Sequence, residues 1–182
     1  MNNDLFEKFE KNSRVNDETI KEYREKVPTE LLSVWSKYGF GCILDGYLKV
    51  INPYEYKSIM EMSYFRADVS IPIFITAFGD IITWEENRYI GVIRYKKGSF
   101  QIISSGFKYF FNDLQDDYFI EKYLELDKYN EAIEKYGELE YDECFGYVPL
   151  LGLGGSEKVE NLKKVKIKEH IELITQLVGK IE

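Results

Sequence analysis

Two pairs of adjacent carboxylates are the side chains in this sequence whose types best suit catalysis. Asp116–Asp117 and Asp142–Glu143 carry the oxygen ligands that divalent cations prefer, and carboxyl groups also act as general acids and bases. However, neighbouring carboxylates seldom converge on one ion without further ligands, and the spacing of an EF-hand calcium loop is absent. A nuclease active site is not indicated either, because no suitably spaced lysine follows Asp80 or Glu85. We therefore predict no catalytic residue and no metal ligand, and a metal-dependent hydrolase is the least favoured alternative.

Nucleophilic and phosphate-binding chemistry also find little support in the sequence. His170 is the only histidine, and its setting KIKEHIELI predicts a helix with no nucleophile beside it, so a structural or surface histidine is the better interpretation. The glycine run GLGG lacks the third glycine of the dinucleotide-binding pattern, where Glu157 stands, and no GK[ST] occurs. We expect no cofactor.

Negative charge is concentrated in one region of the chain. The formal net charge is −8, whereas residues 112–143 alone contain twelve carboxylates and three lysines, so the remainder of the chain carries +1. This region is either a solvated helical surface or a surface that binds a basic partner, and the overall acidity disfavours nucleic-acid binding. The candidate partner-binding residues are Asp113, Asp116, Asp117, Glu121, Asp127, Glu131, Glu134, Asp142 and Glu143.

Aromatic residues provide a different hypothesis. The chain has fifteen tyrosines, and tyrosine and tryptophan are common in binding sites as well as in cores. If the protein senses a ligand, we expect a concave pocket lined by Trp84, Tyr89 and Phe145 with a few convergent polar groups.

The cysteines and the hydropathy indicate the compartment. Cys42 and Cys144 are far apart and lack metal-binding spacing, so we interpret them as reduced, packed thiols. The first residues lack the apolar segment of a secretory signal, and no run approaches the roughly 18 apolar residues needed to span a bilayer. We expect a cytoplasmic protein.

Helical spacing of apolar residues recurs along the chain. It predicts two short helices within residues 4–26, a helix from Pro28 to Gly39, another from Asn52–Pro53 to about residue 65, and helices over 107–136. A final amphipathic helix covers residues 167–178. Its predicted inward-facing residues are Ile171, Ile174, Leu177 and Val178.

Strand patterns occupy the middle of the sequence. A short strand is predicted over residues 47–51, and IPIFITAF, DIITWEE, RYIGVIRY and SFQIIS follow from residue 71 with short turns between them. Because IPIFITAF is apolar almost throughout, we expect helices on both of its faces. The predicted fold class is α+β, with a central antiparallel meander of about four to six strands covered by N-terminal and C-terminal helices.

The stretch Leu139–Gly155, LEYDECFGYVPLLGLGG, joins carboxylates and aromatic residues to a glycine-spaced apolar run. Pro149 and the glycines prevent a long helix or strand here, so an ordered loop or a strand edge is predicted. We interpret it as a crossover from the acidic region to the basic C-terminal segment, with Asp142 and Glu143 at the end of the acidic surface.

Several motifs in order resemble the GAD-like domain family, whose C-terminal part is shared with immunity proteins of type VI secretion DNase effectors. The opening motif also resembles SMI1/KNR4-like immunity proteins, more distantly. The motifs are PTELLSVWSKYGFG (28–41), DGYLKVINPYEY (45–56), IPIFITAFGDIITW (71–84), FFNDLQDDYF (110–119) and YDECFGYVPLLGLGGSEKVENLKKVKIKEHIELITQLVG (141–179).

The resemblance implies a non-enzymatic bacterial protein that binds and neutralises a cognate secreted toxin, often a nuclease. It offers no catalytic residue to carry over, and a basic toxin would suit the acidic surface. One domain over residues 1–182 is expected, with a possible division into a GAD-like part, 1–105, and an immunity-type part, 106–182. The alternative function is that of a ligand-sensing or regulatory GAD-like module.

Overall fold

Within residues 4–182, the part of the chain that the computed structural model describes, seven antiparallel strands form the main sheet. They lie in chain order, and each strand pairs with the next one along the chain. This confirms the predicted antiparallel meander and extends it to seven strands. The strands are β1 Glu10–Ser13, β2 Phe40–Ile43, β3 Leu48–Val50, β4 Ser70–Thr76, β5 Ile81–Glu85, β6 Tyr89–Arg94 and β7 Ser99–Ser104.

The same described residues contain seven α-helices, so the α+β class is confirmed. A second sheet has two strands, β8 Glu143–Tyr147 and β9 Leu162–Lys166. The helices are α1 Asp17–Tyr23, α2 Thr29–Tyr38, α3 Pro53–Ser63, α4 Phe110–Asp113, α5 Asp117–Leu124, α6 Leu126–Tyr136 and α7 Ile167–Val178.

The central strands are buried on both faces, as their composition predicts. Successive residues of a strand point to opposite faces, so Phe74 enters one hydrophobic cluster and Ile75 the other. Helices α2, α4, α5 and α6 contribute to the first cluster, whereas α3 and α7 contribute to the second. Burial of this apolar area on both faces is the main source of stability for the sheet.

The C-terminal elements attach to the end of the main sheet. Strand β8 contacts the residue after β4, where the Phe145 N–H donates to the Ala77 carbonyl at 2.7 Å. Strand β9 then returns antiparallel to β8 and leads directly into α7. The stretch predicted as an ordered crossover is therefore a strand followed by a loop.

Local signals predicted the helix boundaries correctly in several places. The Asn52 side chain accepts a hydrogen bond from the Tyr54 N–H and caps α3, and α7 ends at Gly179 with φ +85°. Of the two short helices predicted within residues 4–26, the prediction of the first is wrong. A single 3-10 turn at Asp4–Phe6 precedes β1 instead, because Glu10 and its neighbours pair with β2 at the edge of the sheet.

Candidate functional site

The acidic region predicted from the sequence lies mainly on three consecutive helices, α4, α5 and α6. The Asp116 carboxylate accepts a hydrogen bond from the Phe119 N–H at 2.9 Å and caps α5. Phe119 and Leu124 turn inward to the core, so the polar side of α5 remains in solvent. Negative charge at this helix start also suits the helix dipole.

Helix α6 is held on the fold by its apolar face. Tyr129 and Ala132 are buried, and the Tyr129 hydroxyl donates to the Asp45 carbonyl at 2.8 Å. Glu131 and Glu134 are exposed on the same helix. The packing therefore leaves these two carboxylates available to a partner.

Most of the candidate carboxylates have no neutralising neighbour. We call residues 113–134 the acidic helical segment. Within the described residues, no ion pair involves the following carboxylates of this segment: Asp113, Asp116, Asp117, Glu121, Asp127, Glu131 and Glu134. Partial burial and the charge of Asp116 raise the pKa of Asp113. The segment thus presents an excess of unpaired negative charge.

Asp142 and Glu143 differ from the other candidates in position and pairing. They lie at the start of β8, and Lys166 on β9 places its Nζ 2.8 Å from Asp142 Oδ1 and 3.5 Å from Glu143 Oε1. Both ion pairs are partly exposed and therefore weak. A partner would have to compete with Lys166 for these two carboxylates, whose contact with a partner stays a prediction.

A partly buried ion network connects the acidic helical segment to the main sheet, and the sequence did not reveal it. Glu125 joins α5 to α6 and pairs with Lys96, Lys97 and Lys128. Burial raises the pKa of Glu125, but the three ammonium groups outweigh it and lower the value to about 2. Lys96 also reaches the buried Asp80, at 3.5 Å.

The structure places the three aromatic residues predicted to line a ligand pocket, Trp84, Tyr89 and Phe145, at different points of the fold, and a pocket for a ligand-sensing module stays a prediction. Trp84 packs edge-on against Phe107 in the core, with ring centroids 6.1 Å apart. Phe145 is buried beside Phe78, beyond the opposite end of β4. Tyr89 begins β6 and is half-buried.

A cavity of about 570 Å³ lies elsewhere, and we call it the α7 groove. Its walls are the turn 95–98, the loop 150–153 and helix α7, and Tyr147 and His170 also line it. The prediction that Leu177 and Val178 lie on the inward face of α7 is wrong, since both are about half exposed at the rim of the groove. Ile171 and Ile174 are buried as predicted.

His170 is a buried residue, in agreement with its structural interpretation. Desolvation by burial lowers its pKa and so favours the neutral imidazole at pH 7. Its ring lies against Gly146, where an added Cβ would be 2.5 Å from the His170 Cε1 atom. The glycine in β8 therefore makes room for the ring.

Neither a metal centre nor a membrane span is found in the described part of the chain. Nowhere in residues 4–182 do three or more His, Cys, Asp or Glu side chains group so that they could hold a metal ion. Across those residues, no helix has both the length and the apolar character needed to cross a membrane.

Comparison with known proteins identifies two family regions. Residues 2–96, more than half of the chain, match the GAD-like domain, and residues 104–178 match the C-terminal domain of the T6SS immunity protein Tdi1. The crystal structure of Atu4351 from Agrobacterium tumefaciens has the same fold, with a TM-score of 0.75 at 18% identity over 97% of this chain and 89% of that one. No curated protein matches the sequence. The chain belongs to the GAD-like domain family and carries, after the GAD-like domain, the C-terminal domain of a T6SS immunity protein.

Proposed function

We propose that this chain is a non-enzymatic, cytoplasmic immunity protein that binds and neutralises a cognate toxin of type VI secretion through its acidic helical segment. The observation that carries the proposal is the overlap, along the sequence, of the acidic helical segment with the immunity-protein domain. The acidic helical segment, residues 113–134, lies wholly inside the region 104–178 that matches the immunity-protein domain.

The charge of the segment indicates the chemistry of the partner. A nuclease toxin binds DNA through a basic cleft, and a protein surface with unpaired carboxylates competes with the phosphates for that cleft. Complementary charge accelerates the encounter and fixes the orientation of the two proteins. A basic toxin, with nuclease activity as the leading candidate, is therefore the partner that the surface suits.

The first test is co-expression with the gene that neighbours the gene for this chain. If the proposal is right, cells that express the neighbouring gene alone stop growing, co-expression restores growth, and the two products purify together. A toxin that remains active despite a stable complex would contradict neutralisation.

The second test is charge reversal within the acidic helical segment. Asp116 and Asp117 begin α5 and would weaken the helix if reversed, so the variant changes Glu121, Glu131 and Glu134 to lysine instead. We expect the association rate with a catalytically inactivated toxin to fall about tenfold or more and its salt dependence to weaken. The matched control reverses three exposed glutamates distant in sequence, Glu7, Glu25 and Glu61. Equal effects of both triple variants would contradict a specific acidic surface.

No observation favours the alternative of a ligand-sensing module over the immunity function. That alternative required Trp84, Tyr89 and Phe145 to line one pocket, whereas two of these rings are core side chains. We therefore propose only the immunity function.

A further inference from the structure

The α7 groove is an apolar depression with a polar floor. Its volume of about 570 Å³ accommodates one or two large side chains of another protein. The groove joins the connection after β6 to the loop after β8 and to α7. None of the residues proposed above for partner binding lines it.

One atom in the floor lacks a partner. Tyr147 is 2% exposed and its hydroxyl has no hydrogen-bond partner among the described residues, although it lines the groove. A buried hydroxyl without a partner is unfavourable, so a hydrogen-bonding group brought to it by a bound molecule would be stabilised. The neutral imidazole of His170 lies in the same lining. Tyr147 and His170 therefore provide two neutral hydrogen-bonding groups, beside the ion-paired Lys96 in the same lining.

The rim of the groove exposes large apolar side chains. Leu153 is 62% exposed, and Leu177 and Val178 are each 48% exposed. A small molecule held in the groove would leave these side chains in water, whereas a protein surface placed over the groove would cover floor and rim together. Exposed apolar patches of this kind mark protein contacts.

The groove is continuous with the acidic helical segment. Glu157 lines the groove, and Lys128 of α6 places its Nζ 2.8 Å from Glu157 Oε1. Lys97 bridges the same two regions, at 3.5 Å from Glu157 and 2.9 Å from Glu125. Lys97 and Lys128 pair with Glu125 and Glu157, so this wall itself carries balanced charge. Lys180 also lines the groove, and its Nζ donates a hydrogen bond to the Glu61 carbonyl. A protein bound to the acidic helical segment can thus extend over the wall formed by Lys97 and Glu157 without a charge conflict.

We propose that the α7 groove is the second contact for the same toxin and receives an apolar side chain of the leucine, methionine or phenylalanine type. A polar group of the same toxin segment forms a hydrogen bond with the Tyr147 hydroxyl. This inference rests on the proposed immunity function. The two contacts have different tasks: the acidic helical segment sets the association rate and its salt dependence, and the groove sets the dissociation rate.

A matched pair of leucines on α7 tests the groove. Leu173 and Leu177 are both 48% exposed and one helical turn apart, but only Leu177 lines the groove. The probe is the catalytically inactivated product of the neighbouring gene, and surface plasmon resonance at low and high salt gives both rates. We expect Leu177→Asp to raise the dissociation rate roughly 10- to 100-fold with an unchanged salt slope, and Leu173→Asp to have no effect.

Tyr147→Phe removes only the oxygen atom and keeps the ring in the floor. We expect the affinity for the same probe to fall about three- to tenfold, because the complex loses one hydrogen bond. Circular dichroism of each variant verifies that the fold is retained.

The outcomes separate the two proposals. If the wild-type chain does not bind the probe, the immunity function and the groove inference both fail. If the wild type binds while Leu177→Asp and Leu173→Asp bind equally well, only the groove inference is overturned.

Two other occupants of the groove would also overturn the inference. If Leu177→Asp converts a dimer into a monomer by light scattering and leaves the affinity for the probe intact, a second copy of this chain occupies the groove. If a small molecule co-purifies with the chain and is lost on Tyr147→Phe substitution without an effect on the probe, the groove is a ligand site and not a toxin contact.

Discussion

Glu125 accepts a hydrogen bond from the Lys97 Nζ at 2.9 Å, and this contact joins the α5–α6 connection to the turn between β6 and β7. Lys96 binds the same carboxylate and also pairs with buried Asp80. The acidic helical segment is therefore attached to the main sheet by charged groups as well as by its apolar face. Loss of Glu125 would leave Lys96 with one partner only.

Glu125→Gln should lower the free energy of unfolding by about 2 kcal/mol at pH 7. The folded-state pKa of Glu125, about 2, lies below its ordinary value of 4.5, so its stabilising contribution is present above pH 4.5 and is lost as the pH falls towards 2. Urea unfolding of wild type and variant at several pH values checks this, with exposed Glu131→Gln as the control. A difference between wild type and Glu125→Gln that does not shrink between pH 4.5 and 2 would contradict the assignment.

Lys49→Met should stabilise the protein by about 1–3 kcal/mol. Lys49 is buried opposite Cys42 in the β2–β3 pair, and its Nζ has no hydrogen-bond partner among the described residues. Methionine has a similar volume and carries no charge. The measurement is urea unfolding at pH 7, and a destabilised variant would indicate that the ammonium group has a partner, such as bound water.

The same lysine also predicts a pH dependence. Desolvation lowers the folded-state pKa of Lys49 below its ordinary value of 10.5, so the unfolded chain binds more protons between the two values. The contribution of Lys49 to stability should therefore become more favourable as the pH rises through that window. The advantage of Lys49→Met over wild type should shrink over the same range, and urea unfolding at increasing pH measures it.

Tyr147→Phe should raise the free energy of unfolding by about 1 kcal/mol, because it removes a buried hydroxyl that lacks a partner. The same variant is expected to bind the toxin more weakly. Thermal or urea unfolding of the free protein measures the first effect. A destabilised Tyr147→Phe would show that the hydroxyl already has a partner in the free protein, and the groove would then lack the polar group proposed for toxin binding.

The predictability of the fold depended on whether the signal was local. Local sequence signals mark the bounds of several elements: apolar runs separated by turns mark the strands β4–β7, and the capping residue Asn52 marks the start of helix α3. Strand β1 has the sequence EKNS with every residue exposed, so no alternation indicates a strand. The strand forms because it pairs with β2, where Glu10 lies opposite Cys42. A pairing between residues so far apart in the chain produces no pattern in the local sequence.

The candidate site was predictable in part for a related reason. The charge of residues 113–134 is a property of composition, and the structure leaves most of these carboxylates exposed. Helical spacing shows that Ile171, Ile174 and Leu177 share a face of α7, but it does not show how much of this face is buried by other elements. Ile171 and Ile174 are buried, whereas Leu177 is about half exposed and lines the α7 groove.

Asp116 provides the last prediction, because its carboxylate both caps α5 and contributes charge to the acidic helical segment. Asparagine caps a helix about as well as aspartate, whereas alanine does not. Asp116→Ala should therefore lower the free energy of unfolding by about 1 kcal/mol, and Asp116→Asn should change it by less than about 0.5 kcal/mol. If the charge contacts the toxin, both variants should slow association to a similar extent at low salt, and the difference from wild type should vanish at high salt. Stopped-flow association with the inactivated toxin, measured beside urea unfolding, separates the two roles. An Asp116→Asn variant with the wild-type association rate would remove Asp116 from the proposed surface and leave it as a helix cap alone.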